Sequence, residues 1–243
     1  FLCIISVPRI YVFLTYQPLY LHIEMKKIII YTANDPLFTL PLIKKICVDL
    51  EKKFSIDIFI GKSSFKRKLK VLLVFIFFGS LFKLFNLFKK KVNLNDLLQI
   101  KNVNIINHTK KKYYFGLSMN YPKKIILKKY DIFNFHLGNF INQRGSFIFF
   151  YKYFYKWKNL DLTFHKINNS YDSGLIISKK TINISKKKPT DICLSYHSNY
   201  KFLENCINQI KKKNKIKFVP GKLNTEPNFY FIIKIYILTI LKL

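Results

Sequence analysis

The sequence predicts an α/β fold: a Rossmann-like layered sandwich with a mostly parallel central sheet and helices on both faces. Short β-branched apolar runs alternate with segments in which apolar residues recur every three or four positions. The first strand, helix and second strand have the spacing of a right-handed βαβ unit. With 243 residues, half of them hydrophobic, the chain can build one domain with a real core, with or without a small appendage.

The first βαβ unit is the clearest part of the pattern. "KKIIIYTA" (26–33) is a nearly continuous apolar run, which is typical of a strand buried on both faces. The polar and proline residues at 34–36 interrupt it and can cap a following helix. Residues 36–53 predict an amphipathic helix, whose start Pro41 delays or kinks. "SIDIFIGK" (55–62) predicts the second strand.

The remaining elements alternate in the same way. A long apolar helix or helix pair is expected over 66–90. Further strands are expected at 102–108, near the start of 113–125, and at 129–136, 161–167 and 174–184. Further helices are expected over 146–158, which includes Trp157, and over 198–212, with Ser198 as its N-cap.

Domain limits follow from the methionines and from composition. Residues 1–24 contain no methionine, whereas Met25 leads directly into the first predicted strand. We therefore expect 1–24 to lie outside the domain, as an upstream extension of the reading frame. The main domain is then expected over 25–184, and a C-terminal helix with an apolar tail over 185–243.

Two apolar segments raise the question of a membrane. Lysines interrupt both 71–88 and 229–243, and the second is short for a span of about 20 apolar residues. Buried or interfacial helices are the favoured interpretation, so membrane contact is open but not favoured. The scattered cysteines predict buried free thiols in a reducing compartment, and the expected location is cytoplasmic.

The formal charge of +31 invites a nucleic-acid interpretation. Its lysines are dispersed over the whole chain, however, and the Lys, Asn, Ile and Phe bias is typical of A/T-rich coding sequences. Solvated surface lysines are the favoured explanation, with attraction of an anionic substrate or nucleic acid as the alternative. No phosphate-binding glycine motif and no metal-ligand spacing is present, so no metal is expected.

A scattered polar set is the candidate for chemistry. Asn134 and His136 end a predicted strand, and ligands of open α/β sheets bind beyond the carboxyl ends of strands. Arg144 is one of only three arginines among 43 basic residues, which indicates a need for its planar fork. Each member also has an ordinary explanation, because histidines at strand ends are often structural and Asn and Asp often form turns. The full set is Asn134, His136, Arg144, Gly145, Thr163, His165, Asp172 and Gly174.

The spacing of these residues resembles a known family. "NFH" at 134–136, "RG" at 144–145, "TFH" at 163–165 and "DSG" at 172–174 match the N-x-H, R-G, T-x-H and D-x-G motifs of formyltransferases that use 10-formyltetrahydrofolate. That family includes the glycinamide ribonucleotide, methionyl-tRNA and sugar N-formyltransferases. Its Ser-Leu-Leu-Pro segment is replaced here by "GNFI" (138–141), which puts the acceptor and the detail of folate binding in question.

The resemblance implies roles for individual residues. Asn134 and His136 would bind the developing oxyanion, and Asp172 would handle the proton directly or through water. Arg144, Gly145, Thr163, His165 and Gly174 would support these three. A backbone loop that faces the folate pterin would correspond to Ser118, Met119, Asn120 and Tyr121.

The implied reaction is transfer of a formyl group from 10-formyltetrahydrofolate to a primary amine. A sugar nucleotide is the favoured acceptor, because only about 60 residues follow position 184. The alternatives are a methionyl-tRNA formyltransferase, a catalytically degenerate ligand-binding relative, and a nucleic-acid-binding module.

Overall fold

The computed structural model describes residues 25–79, 81–109, 112–121, 125, 130–168, 172, 174–210 and 221–241. The strands are β1 (Lys26–Ala33), β2 (Phe54–Gly61), β3 (Val103–Ile106), β4 (Gly116–Met119), β5 (Ile132–Leu137), β6 (Arg144–Gly145), β7 (Asn159–Lys166), β8 (Ile176–Asn183) and β9 (Leu223–Asn224). The helices are α1 (Thr39–Leu50), α2 (Phe65–Phe78), α3 (Leu81–Lys89), α4 (Leu94–Leu98), α5 (Ile148–Tyr155), α6 (Pro189–Cys193), α7 (Ser195–Ser198), α8 (Tyr200–Asn208) and α9 (Phe229–Ile240).

The central sheet has the order β3-β2-β1-β4-β5-β7-β8. Strands β1 to β5 run parallel, and β7 and β8 continue the sheet antiparallel at one side. The chain moves outward from β1 to β3 and then returns to the other side of β1 with β4, so the order reverses between β1 and β4. The predicted fold class is confirmed, and this reversal marks the position where open α/β sheets bind ligands.

The main core lies against one face of the sheet. Alternate side chains of β1, such as Ile28 and Ile30, are fully buried there together with Ile43 and Leu203 from helices α1 and α8. Ile29 and Tyr31 of β1 belong to a smaller cluster on the opposite face. Because β1 is covered on both faces, its apolar run does not alternate, as the sequence predicts.

Helix α1 begins later than its apolar periodicity suggests. Asp35 accepts hydrogen bonds from the backbone N–H groups of Leu37 and Phe38, at 3.1 and 3.2 Å, and from the hydroxyl of Thr39. The carboxylate therefore caps the turn that precedes the helix. Pro41 falls in the first helical turn, where its missing N–H costs no intrahelical hydrogen bond.

Two local expectations need correction. Trp157 lies beyond α5, which ends at Tyr155. Ser198 is not the N-cap of α8: it is the last residue of α7, and Asn199 occupies the cap position without a side-chain cap bond. The Ser198 hydroxyl instead donates to the carbonyl of Leu194 inside the preceding helical turn, which competes with capping.

Both apolar segments are helical. The 66–90 segment is a pair, α2 and α3, that separates after Gly79 at the end of α2, and residues 229–240 form α9. None of the helices in the described part of the chain is both long enough and apolar enough to cross a membrane. Residues 1–24 lie outside the described residues.

The predicted buried free thiols are present in the core. Cys47 and Cys206 are buried and carry no disulfide, and burial raises the pKa of each thiol to about 12. Their thiolates are therefore scarce at neutral pH, which makes both side chains unreactive packing groups. Cys3 lies outside the described residues.

Helix α7 is tied to the loop after β1 by a histidine. The His197 Nε2 atom lies 2.6 Å from the carbonyl oxygen of Phe38, and burial lowers the pKa of His197. The folded pKa is thus below the unfolded value of about 6.5, so the unfolded chain binds more protons as the pH falls through that value. This histidine therefore makes the free energy of unfolding decrease on acidification.

We predict that replacing His197 by Gln weakens this pH dependence. The Gln amide can still donate to Phe38 but does not titrate. Urea unfolding between about pH 7.5 and about pH 5.5 measures the effect, and His108→Gln, at an exposed histidine, is the matched control. Equal loss of stability in the wild type and in His197→Gln would contradict the prediction.

Candidate active site

The candidate residues of β5 lie beside the point where the sheet order reverses. Asn134 pairs with Ser118 of β4 on one side and with His165 of β7 on the other, and Ser118 pairs with Tyr31 of β1. Residues that pair in register share a face of the sheet. His136, two residues after Asn134, projects from this same face near the end of the strand.

Asn134 is oriented by a buried histidine. Its Nδ2 atom lies 3.1 Å from Nε2 of His165, whose Nδ1 lies 3.3 Å from the carbonyl of Lys166. If His165 donates from Nδ1 to this carbonyl, its Nε2 accepts from the Asn134 amide. The amide NH₂ has two hydrogens, so one can serve His165 and the other a ligand.

His136 is held from both ring nitrogens and is almost fully buried. Its Nδ1 lies 3.3 Å from Oδ1 of Asp172, and its Nε2 lies 2.9 Å from the carbonyl oxygen of Gln143. Both partners are acceptors, so both contacts are hydrogen bonds only when each ring nitrogen carries a proton. The doubly protonated ring would place its positive charge against the Asp172 carboxylate. The structure thus brings together the histidine and the carboxylate that the sequence singled out.

Asp172 is fixed by the Arg-Gly pair. Its Oδ2 accepts a hydrogen bond of 2.9 Å from the backbone N–H of Gly145, and its carbonyl accepts one of 3.0 Å from Nε of Arg144. A second guanidinium nitrogen of Arg144 donates to the carbonyl of Gly221 at 2.8 Å. A planar fork that reaches two backbone carbonyls at once explains why arginine stands here in a lysine-rich chain.

Asp172 and Gly174 both have left-handed backbone conformations, with φ of 41° and 123°. A Cβ atom at Gly174 would lie 2.1 Å from the carbonyl oxygen of Lys166, so only glycine fits this approach to β7. The D-x-G spacing therefore lets the chain turn tightly against the sheet while the carboxylate reaches His136.

The loop that departs from the family pattern is well ordered by hydrogen bonds. The Asn139 side chain accepts from the backbone N–H groups of residues 141–143. The buried Gln143 side chain donates to the carbonyl of Asn159 at 2.7 Å, and Thr163 donates to the carbonyl of Gly138, also at 2.7 Å. The same loop places the carbonyl oxygen of Gln143 next to Nε2 of His136.

The aromatic residue of this loop closes the site further. Phe140 is buried, and its ring meets His165 edge to face with 4.5 Å between centroids. Its centroid lies 5.7 Å from that of His136. Phe140 packs on the two histidines, and Nε2 of His136 becomes available to a ligand only if the Gln143 carbonyl moves away.

Sequence reasoning missed Tyr196, which lies in α7 beyond residue 184. Its hydroxyl reaches two neighbouring strands: it lies 2.7 Å from the carbonyl of His136 in β5 and 3.3 Å from that of Thr163 in β7. Burial raises the pKa of Tyr196 well above its usual value, so the phenol stays a neutral donor. No local pattern around residue 196 signals this contact, because it depends on tertiary packing.

The C-terminal segment also reaches the site through a short second sheet. Strand β9 pairs with β6, which is the Arg144–Gly145 pair itself. A Cβ atom at Gly145 would lie 2.2 Å from the carbonyl oxygen of Asn224, so the glycine permits this close pairing. Residues beyond 184 therefore help to hold Asp172 in place.

The side chains of the four predicted folate-loop residues point in different directions. Ser118 lies beside Asn134 on the site face, whereas Met119 is buried in the main core on the other face. Asn120 follows β4 in a left-handed conformation and donates to the Thr39 hydroxyl at 3.1 Å. The Tyr121 ring packs against Tyr31 in the smaller cluster. Of the four, Ser118 pairs in register with a catalytic candidate, Asn134.

No protein-family model matches the chain. A segment of 162 residues, 61% of the chain, is 32% identical to Protein Ycf2 of Physcomitrium patens, but the chain spans only 7% of that protein's length. Because the chain corresponds to so small a part of Ycf2, this similarity does not indicate what the chain does.

Solved structures give a clearer result. The chain is similar to WlaRD, a sugar 3N-formyltransferase solved with dTDP and 5-N-formyl-THF, with 17% identity and a TM-score of 0.52; 88% of this chain and 78% of that chain are covered. It is also similar to the N-formyltransferase from Helicobacter canadensis, solved with folinic acid and dTDP-3-aminofucose, with 15% identity, a TM-score of 0.54 and coverage of 88% and 79%.

We predict that Gly138→Ala displaces the 138–143 loop. Gly138 has a φ of 141°, and a Cβ atom there would lie 2.0 Å from the Gln143 carbonyl oxygen and 2.9 Å from Nε2 of His136. The strain should lower the free energy of unfolding by about 1–3 kcal/mol. Urea unfolding measures it, with Asn142→Ala as a control at an exposed position of the same loop. Equal stability of Gly138→Ala and wild type would contradict the described loop.

The likeness to the two solved structures extends over most of both chains, although sequence identity is low. It agrees with the mostly parallel, seven-stranded sheet of this chain. The chain has the fold of the formyltransferases.

Proposed function

We propose that the protein transfers a formyl group from 10-formyltetrahydrofolate to a primary amine, through Asn134, His136 and Asp172. The observation that carries the proposal is the contact between His136 and Asp172, at 3.3 Å, next to an oriented Asn134 amide on a formyltransferase fold. Acyl transfer to an amine needs donors for an oxyanion and an acceptor for a proton, and this set supplies both.

The reaction assigns one task to each side chain. The amine nitrogen attacks the formyl carbon, and the resulting oxyanion accepts hydrogen bonds from the Asn134 amide and from Nε2 of His136. Asp172 orients His136 through Nδ1 and takes the amine proton directly or through water. The oxyanion then re-forms the carbonyl, the bond from the formyl carbon to the folate nitrogen breaks, and the proton held by Asp172 passes to that nitrogen as tetrahydrofolate leaves.

This chemistry requires one conformational step. The Nε2 atom of His136 faces the Gln143 carbonyl, so it must exchange that partner for the formyl oxygen. The backbone carbonyl and the formyl oxygen are comparable acceptors, so His136 loses little hydrogen-bond free energy in the exchange once the loop has moved. We propose that donor binding shifts residues 138–143 away from His136.

An amino-sugar nucleotide is the proposed acceptor. The two structural neighbours above carry dTDP or a dTDP-amino sugar in their structures. The net charge of +31 also suits an anionic diphosphate, although it equally suits tRNA. Comparing a dTDP-amino sugar with methionyl-tRNA as acceptor distinguishes the two. Transfer to tRNA alone would overturn the acceptor class but keep the formyl transfer.

The closed loop favours a second candidate, a catalytically degenerate relative that binds ligands without turnover. Phe140 is buried over the histidines, and the Gln143 carbonyl occupies His136 in place of a substrate. In such a protein residues 138–143 would remain closed when a folate is supplied. Folate binding without turnover would support this candidate.

We predict that His136→Ala lowers kcat by about 10²–10³, because one oxyanion donor is lost. Asp172→Asn should lower kcat by about 10²–10⁴, because an amide cannot accept the proton. The asparagine keeps an oxygen for the Gly145 N–H, so the fold should persist. Release of tetrahydrofolate in the presence of a dTDP-amino sugar measures kcat.

Asp131→Asn is the matched control for Asp172→Asn. Asp131 precedes β5 at its amino end and pairs with Lys166 in an exposed position, so its loss should leave kcat unchanged. If folded wild-type protein shows no turnover with either acceptor, or if His136→Ala retains full activity, the proposed transfer is wrong.

A further inference from the structure

Helix α2 carries an apolar stripe on its outer face. Phe65, Leu69, Leu72 and Ile76 are exposed, with Phe65 at 80% exposure. Their spacing of four, three and four residues places them along one face of a helix. The buried face of α2 packs inward through different side chains, including Val74 and Phe78. Helix α2 therefore has two apolar faces: a buried face that packs against the rest of the protein, and this exposed stripe.

Helix α9 repeats this arrangement beside α2. Tyr230, Ile233, Ile237 and Ile240 are exposed at spacings of three, four and three, with Tyr230 at 73% exposure. The two helices pack together through stacked rings, for example Phe77 and Tyr236 with 4.5 Å between centroids. Two exposed apolar stripes thus lie on neighbouring helices.

Helix α3 adds three phenylalanines. Phe82, Phe85 and Phe88 recur every three residues and are exposed, Phe82 at 77%. Isolated exposed apolar residues are common, but stripes on three successive or adjacent helices mark an interaction surface. We call the exposed apolar residues of α2, α3 and α9 named above the apolar stripes.

Positive charge accompanies the stripes. Lys66 and Lys68 are exposed at the start of α2, and Lys89, Lys90 and Lys91 are exposed at the end of α3. The whole chain carries a net charge of +31. Lysines next to exposed aromatic residues suit a partner that is apolar inside and anionic at its surface.

We propose that the apolar stripes dock on an anionic lipid surface, with the helices lying in the plane of the interface. The phenylalanines would enter the boundary between headgroups and acyl chains, and the lysines would remain among the phosphates. A second copy of the chain fits the surface less well, because two strongly positive surfaces repel each other. The proposal concerns a surface outside the candidate active site and is independent of the formyl transfer.

Vesicle co-sedimentation of the full chain tests the proposal. We expect binding to vesicles of phosphatidylcholine with phosphatidylglycerol, weak binding to phosphatidylcholine alone, and loss of binding as salt screens the lysines. The double variant Phe82→Ser/Phe85→Ser should reduce binding to the anionic vesicles by at least about tenfold. Val48→Ser/Leu98→Ser changes two exposed apolar residues outside the three helices and should bind like the wild type.

Circular dichroism confirms that each variant is folded. Absence of binding to the anionic vesicles would overturn the proposal. If Phe82→Ser/Phe85→Ser binds these vesicles as strongly as the wild type, the proposal is also overturned, because the binding would then depend on charge alone. Analytical ultracentrifugation without lipid tests the alternative that a second copy of the chain binds the apolar stripes. If the wild type is a dimer and Phe82→Ser/Phe85→Ser is a monomer, the apolar stripes serve self-association and the lipid proposal is wrong.

Discussion

The candidate site depends on the way Asp172 is held. Its carboxylate contacts Nδ1 of His136 and the backbone N–H of Gly145, and its carbonyl accepts from Arg144. These bonds join three parts of the chain: the end of β5, strand β6 directly after the altered loop, and the turn before β8. Since Asp172 also has a left-handed backbone, the surrounding contacts must keep it in place.

The rest of the network extends from this carboxylate across the sheet. His165 orients Asn134, and Thr163 holds the carbonyl of Gly138 at the base of the altered loop. The buried Tyr196 hydroxyl links β5 to β7 through the carbonyls of His136 and Thr163. Buried polar groups are costly without partners, so each of these bonds also stabilises the strand ends. The supporting motif residues thus act by positioning, whereas Asn134, His136 and Asp172 are proposed to meet the substrate.

Much of the scaffold could be predicted because its causes are local. The apolar run of β1 and the three- to four-residue periodicity of α1 follow from burial of nearby side chains. The grouping of the motif residues came from a resemblance, since composition and spacing alone also fit structural histidines and turn-forming acids. Tyr196 and Gln143 could not be predicted, because their bonds join segments that are distant in sequence or depend on the exact path of a loop. Ser198 shows the same limit, because its hydroxyl bonds back into α7 instead of capping α8.

A crystal structure with an unreactive 10-formyl folate analogue bound tests the central claim most directly. This stable analogue carries a formyl group, so it reports where the formyl oxygen lies without turnover. The account predicts that the oxygen lies within hydrogen-bond distance of the Asn134 amide and of Nε2 of His136, that Nε2 has left the Gln143 carbonyl, and that the Asp172 contact is kept. A folate bound elsewhere, or a His136 that remains on the Gln143 carbonyl with the folate in place, would contradict it.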